Sequence, residues 1–261
     1  MRVAVCLSGQ PRNAINAYKY INENIIIPNN ADVFMHLNYD NDTKYMLKSH
    51  KDNGNCIAED NVDRRLIDLY KPKSYLIEKQ KNFHNPNIHI CDIRLGNIMR
   101  MNGFNDRHTA WIHDMKCVMS MFYGIYKSNE LKELYALENG IVYDYVIRLR
   151  YDCIPRKRLI CSDYDPNYIY FQDISQPDNI ISDWFNMGSN VIMNCYASIF
   201  LNIQYINSYQ FLKKENRDQT NTCYDNTNGI YGPEHIIRDY FNLFNIPKKS
   251  LNINLDISYT T

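Results

Sequence analysis

The chain has 261 residues, enough for one sizeable hydrophobic core, and 45% of them are hydrophobic, an ordinary share for a globular protein. Its 29 lysines and arginines balance its 29 aspartates and glutamates, so no net field favours nucleic acid or an anionic membrane surface, and any anion has to be caught locally. With 8 cysteines but no C-x-x-C pair, no apolar run near the ~20 residues of a membrane span, and an opening that enters a strand pattern at once, the expectation is a reduced, cytoplasmic protein without signal peptide or transmembrane segment.

Arg2 to Leu7 is a short apolar run followed by Ser8-Gly9-Gln10-Pro11-Arg12 and a helical pattern from Ala14 to Glu23. Strand, glycine turn and helix start form the first unit of a Rossmann-like fold. The turn offers backbone N–H groups, the Ser8 hydroxyl and the Arg12 guanidinium to an anion such as a diphosphate. It has neither the G-x-G-x-x-G spacing of dinucleotide folds nor the G-K-[ST] of a P-loop. Ala31 to Asn38 predicts a second strand with His36 and Asn38 at its tip, and the polar stretch Asp40 to Asp60 predicts a loop. Asn61 to Tyr70 predicts a helix stopped by Lys71-Pro72, and Ser74 to Glu78 a third strand, so a parallel sheet follows.

Lys79 to Asn105 is irregular and suits a lid or an acceptor-side loop. A long helix is predicted from His108 to Glu138, with Trp111, Met115, Val118, Phe122 and Ile125 in one buried stripe that covers the sheet. Tyr143 to Pro155 reads as the central strand. Its one face carries Tyr143, Tyr145, Ile147, Leu149 and Tyr151, the other Asp144, Val146, Arg148, Arg150 and Asp152. Two guanidiniums on a central strand need anionic partners, because an unpaired buried charge is costly. The stretch is therefore either the floor of a ligand site at the carboxyl end of the sheet or an internal ladder of arginine–aspartate pairs.

Tyr168 to Phe171 predicts a short strand. Ser182 to Ser189 leads into Val191-Ile192-Met193, and Cys195 to Tyr209 predicts a helix. Lys213 to Gly232 has no apolar period and reads as a surface loop. Pro233 and Glu234 open a last helix with Ile237, Tyr240, Phe241 and Phe244 on one face, and Leu251, Ile253, Leu255, Ile257 and Tyr259 alternate as a closing strand. No repeat or linker divides the chain, so residues 1–261 are expected to form one domain.

These segments, in this order, carry a resemblance. Val3 to Arg12, Ala31 to His36, Met121 to Lys127, Tyr143 to Asp152 and Asp183 to Gly188 together resemble the small GT-A-fold nucleotide-sugar glycosyltransferases of large DNA viruses and bacterial surface-glycan clusters. The fold this implies is α/β and GT-A-like, a Rossmann-type, mostly parallel central sheet flanked by helices. The activity it implies is transfer of a sugar from a nucleoside-diphosphate donor, UDP-linked, to a glycan or small acceptor. Ser8, Gly9, Gln10, Arg12, His36, Arg148 and Arg150 would then serve the nucleotide diphosphate.

The resemblance also places Arg150-Tyr151-Asp152 where GT-A enzymes carry the Asp-x-Asp that holds a divalent cation, manganese or magnesium, against the diphosphate. Here the first acid position is Arg150. Either Asp152 alone anchors the metal, or the arginines supply the counter-charge and the metal is dispensable. For the carboxylate that deprotonates the acceptor, Asp183 is the first candidate and Glu234 the second. The non-enzyme alternative is a degenerate GT-A module that binds a nucleotide sugar or glycan without turnover.

Overall fold

Strand β1, Val3–Gly9, sends alternate side chains into two buried layers, which is why its sequence is an unbroken apolar run rather than an alternating one. The computed structural model describes residues 1–40, 45–46, 56–81, 83, 115–172, 181–203 and 233–257. In it β1 lies inside a seven-stranded sheet with β2 Asp32–Asn38, β3 Ser74–Glu78, β4 Tyr145–Leu149, β5 Ile169–Gln172, β6 Phe185–Ser189 and β7 Lys248–Leu251. The order across the sheet is β7, β5, β6, β4, β1, β2, β3. Strand β6 runs against both neighbours and every other pairing is parallel. Among the described residues, five longer helices flank it: α1 Ala14–Ile21, α2 Val62–Tyr70, α3 Met115–Glu138, α4 Asn190–Ala197 and α5 Pro233–Leu243. The expected α/β class, with a mostly parallel central sheet between helices, is what forms.

One face of the sheet carries Val3, Val5, Leu7, Val33, Met35, Ile147 and Leu149 against α1 and α2. The other carries Ala4, Cys6, Phe34 and Val146 against Val118, Phe122 and Ile125 of α3 and against α4 and α5. The stripe expected on the long helix thus covers the sheet, although its start at His108, with Trp111, lies outside the described residues. Trimming Ile125→Val, a side chain 2% exposed, should lower stability by about 0.5–1.5 kcal/mol in urea unfolding, the range for removing one buried methyl.

On this second face the side chains change character toward the carboxyl ends of the parallel strands. Cys6 is followed by Ser8 on β1, Phe34 by His36 on β2, and Val146 by Arg148 on β4. The chain lays down β1, β2 and β3 in one direction and then returns to place β4 on the far side of β1. The loop after β1 and the turn after β4 therefore meet where the strand order reverses, the crevice in which open α/β sheets hold ligands.

Several expectations are corrected. The central stretch is not one strand from Tyr143 to Pro155: β4 ends at Leu149, residues 150–152 reverse the chain, and Cys153–Pro155 pairs antiparallel with Leu255–Ile257. Tyr143 and Asp144 precede the strand. Asp144 is on the surface, accepting the Arg2 backbone N–H at 2.6 Å, so it plays no part in neutralising the arginines. The closing segment also divides, into β7 and Leu255–Ile257, with Asn254 at φ 55° between them.

Helix α4 starts at Asn190, five residues before the expected Cys195. Phe244 is 50% exposed rather than part of the buried face of α5. The lid segment from Lys79 onward, the loop Lys213 to Gly232 and Tyr259 fall wholly or mostly outside the described residues. Among the described residues, Cys6, Cys153, Cys161 and Cys195 are free thiols, and no helix is long and apolar enough to cross a membrane.

Candidate active site

The loop after β1 opens with Gly9 at φ 126°, a conformation closed to most side chains, and ends with Arg12 at φ 27°. A non-glycine residue in the left-handed region is strained and has to be held there. What holds Arg12 is Asp152, 140 positions away in sequence but on the adjacent strand's turn: Arg12 Nη1 donates to Asp152 Oδ2 at 3.1 Å. Arg150 closes on the same carboxylate from the other side. Its Nε donates to Oδ1 at 2.9 Å and its Nη2 to Oδ2 at 2.6 Å. Asp152 is 2% exposed. Burial by itself would raise its pKa, but the charges of Arg150 and Arg12 and their hydrogen bonds outweigh burial and hold it below the ordinary aspartate value.

This geometry decides how Asp152 fits the metal role expected of it. Both carboxylate oxygens already accept from guanidiniums, and two positive charges stand where a cation would approach. Such a donor set does not fit a divalent cation, and no group of three or more potential metal ligands occurs among the described residues. Two arginines against one carboxylate leave this three-residue cluster with one net positive charge. Arg12 keeps Nε and Nη2, and Arg150 keeps Nη1, outside these bonds, and both guanidiniums remain partly solvent-accessible.

The carboxylates arrive from the opposite side. Antiparallel β6 begins where β4 ends, with Leu149 opposite Phe185 and Arg148 opposite Asn186, and the Arg150 N–H donates to the Trp184 carbonyl at 3.3 Å. Asp183, 7% exposed, is thereby set near Arg150, whose charge it feels. It makes no ion pair among the described residues. Glu234 is in the first turn of α5, entered through Pro233. Burial, reinforced by the negative charge of Asp183 and only partly offset by Arg150, pushes its pKa up to about 8. Two acids selected on different sequence arguments thus form one electrostatically linked pair beside the arginines.

Arg148, third of the expected arginines, lies deeper. It is among the largest fully buried side chains, and its Nε and Nη1 have no hydrogen-bond partner among the described residues. Asn186 Oδ1 across the strand pair and the Tyr196 hydroxyl on α4 are likewise buried without partners. Neither Asn186 nor Tyr196 was expected in the site. An asparagine at an inward position between Phe185 and Met187 was the available signal; nothing in the pattern marks Tyr196.

Ser8 and His36 are not brought to this cluster. Helix α3 covers both, at a point where a Cβ on Gly124 would come within 3.1 Å of His36 Nδ1, so glycine permits the close approach. His36, fully buried, is bonded through Nε2 to Glu78 at 2.9 Å; burial lowers its pKa against the pull of Glu78 and keeps the ring neutral. The surface of the β1 loop is formed by Gln10 and Arg12, both half-buried.

No family model and no curated protein matches the chain. Among solved structures it is similar to the apo-form glycosyltransferase GlyE of Streptococcus pneumoniae TIGR4, at 12% sequence identity and a TM-score of 0.42. The match covers 97% of this chain and 45% of that one, so the chain spans less than half the length of that enzyme.

Proposed function

We propose that the protein is a nucleotide-sugar-dependent glycosyltransferase that holds the diphosphate of a UDP-linked donor with arginines instead of a divalent cation. The observation that carries this reading is the Arg12–Asp152–Arg150 cluster at the point of strand-order reversal, with Asp183 and Glu234 near enough to be electrostatically linked to Arg150. Asp152 acts as a positioning residue: it fixes two partly solvent-accessible guanidiniums side by side, and their remaining N–H groups serve as a preformed anion fork.

With donor in place, the acceptor oxygen bonds to the anomeric carbon while the bond from that carbon to the diphosphate breaks. The leaving group keeps the electron pair, and its growing negative charge falls on Arg12 and Arg150. The acceptor's hydroxyl proton passes to a carboxylate of the Asp183–Glu234 pair. Asp183 takes the proton in this reading, and Glu234, protonated near neutrality by its position beside the Asp183 charge, keeps a second negative charge away from the incoming diphosphate.

The experiment is a thermal-shift and transfer assay with UDP, GDP and their common sugars, in manganese and in chelator. The expected result is a rise in melting temperature with the donor nucleotide that is the same in both buffers, because a ligand bound by the native state alone stabilises it. A shift seen only with manganese would overturn the arginine role, and no shift with any nucleotide would overturn the donor reading. Arg12→Ala should weaken diphosphate binding by about 1.5–3 kcal/mol in calorimetry, the value of a charge-assisted contact, while Arg150 continues to satisfy Asp152.

A further inference from the structure

Arg148 is two residues before Arg150 and so about 7 Å farther into the sheet at ~3.3 Å per strand residue. A buried guanidinium without a counter-charge is unfavourable, and the ordinary remedy, a carboxylate within the chain, is missing from its hydrogen bonds among the described residues. Asp152 is spent on Arg12 and Arg150. Across β4 and β6 the residue opposite is a neutral asparagine, bonded through Nδ2 to the Ser182 carbonyl at 3.2 Å and leaving Oδ1 unused. Tyr196 is on α4, which packs against β4, and it is near enough to feel the charges of Arg148, Asp183 and Glu234, so its unpartnered hydroxyl belongs to the same buried polar group.

We propose that this buried polar group is a subsite for the carboxylate of an acidic sugar, so that the donor is a nucleoside-diphosphate uronic acid. The proposal rests on the donor reading given above. If the diphosphate lies across Arg12 and Arg150, the part of the donor that can extend inward by roughly the length of a pyranose ring is the sugar, and a carboxylate on that ring meets Arg148. Asn186 Oδ1 can accept from, and the Tyr196 hydroxyl can donate to, the ring hydroxyls beside it.

A monoanion matches the single guanidinium, whereas a phosphate dianion would leave one charge unmatched and double the repulsion from Asp183. In the form described, Arg148 is 2% exposed, so a sugar that reaches it has to displace the side chains packed over it.

The test is calorimetric titration of the full chain with UDP and GDP alone and with two matched pairs: UDP-glucose against UDP-glucuronic acid, and GDP-mannose against GDP-mannuronic acid. In the nucleotide series that binds, the acidic member should bind at least about tenfold more tightly than its neutral partner, the lower end of what one charge-assisted hydrogen bond confers. Arg148→Gln should bring that ratio to about one. If neither nucleotide nor any sugar conjugate binds, the donor reading fails and the subsite with it. If nucleotide binds but the neutral sugar is held as well as the acidic one, the subsite alone is overturned; the wild-type ratio decides this even if the variant does not fold. A preference for the acidic sugar that survives Arg148→Gln would also overturn the role assigned to Arg148.

Discussion

Asp152→Asn is expected to cost about 3–5 kcal/mol of stability in chemical denaturation, because it removes the one negative charge shared by two guanidiniums while leaving them in place. The amide is the same size, so packing is not the cause. The pH dependence separates this from a nonspecific loss. The Asp152 carboxyl has a pKa below the ordinary value, so its contribution is present above the unfolded-state pKa of about 3.9 and is lost as the pH falls through the folded value. Acid unfolding of the wild type should therefore include a component that the variant lacks. A variant that melts with the wild type at neutral pH would show that Arg12 and Arg150 find other partners, and that the cluster does not set the crevice.

Asp183→Asn should lower the rate of transfer by about 10²–10⁴-fold with little change in melting temperature, the range for losing a positioned proton acceptor. Glu234→Gln distinguishes the two acids. Its carboxyl, with a pKa of about 8 against an unfolded value near 4.5, binds more protons folded than unfolded across that interval. Stability from this group is full below about pH 4.5 and is lost as the pH rises through 8, so wild type should lose stability over that window and the glutamine variant should not. The transfer rate gives the complementary reading. If Glu234 only keeps its proton, activity falls as the pH passes 8; if it is the base itself, activity rises there. A wild-type stability profile flat between pH 5 and 8 would show that burial and the Asp183 charge do not hold the proton on Glu234.

The sheet was readable because strand periodicity is local. Apolar runs bounded by Gly9, Asn38 and Pro72 mark β1, β2 and β3, and the arginines at two-residue spacing mark the carboxyl end of β4. What could not be read is which acid meets which arginine. Asp144 and Asp152 are equally plausible partners on a straight strand; the reversal at residues 150–152 sends one to the β1 loop and leaves the other at the surface. That pairing depends on β1 and β4 being neighbours, a contact across more than a hundred residues. The closing strand failed for a backbone reason: Leu251, Ile253 and Leu255 keep their alternation and are all buried, but Asn254 takes a left-handed turn between them, which asparagine tolerates. Burial of Ser8 and His36 was equally hidden, since it follows from Gly124 letting α3 lie close over the sheet.

The short ribbon of Cys153–Pro155 with Leu255–Ile257 bears on when the site comes into being. The turn that carries Arg150 and Asp152 is fastened on one side by β4 and on the other by this ribbon, with Arg156 Nε donating to Asp256 at 2.8 Å. A nascent chain that has emerged as far as α4 already holds β1, β4 and β6, with Arg12 and the Trp184 carbonyl bonded to the turn, but the strand leading out of the turn pairs only after a segment a hundred residues downstream has left the ribosome. The far side of the anion fork is therefore fastened last, after the sheet that supports it. Donor affinity should rise when Leu255–Ile257 pairs, where secondary structure would change little.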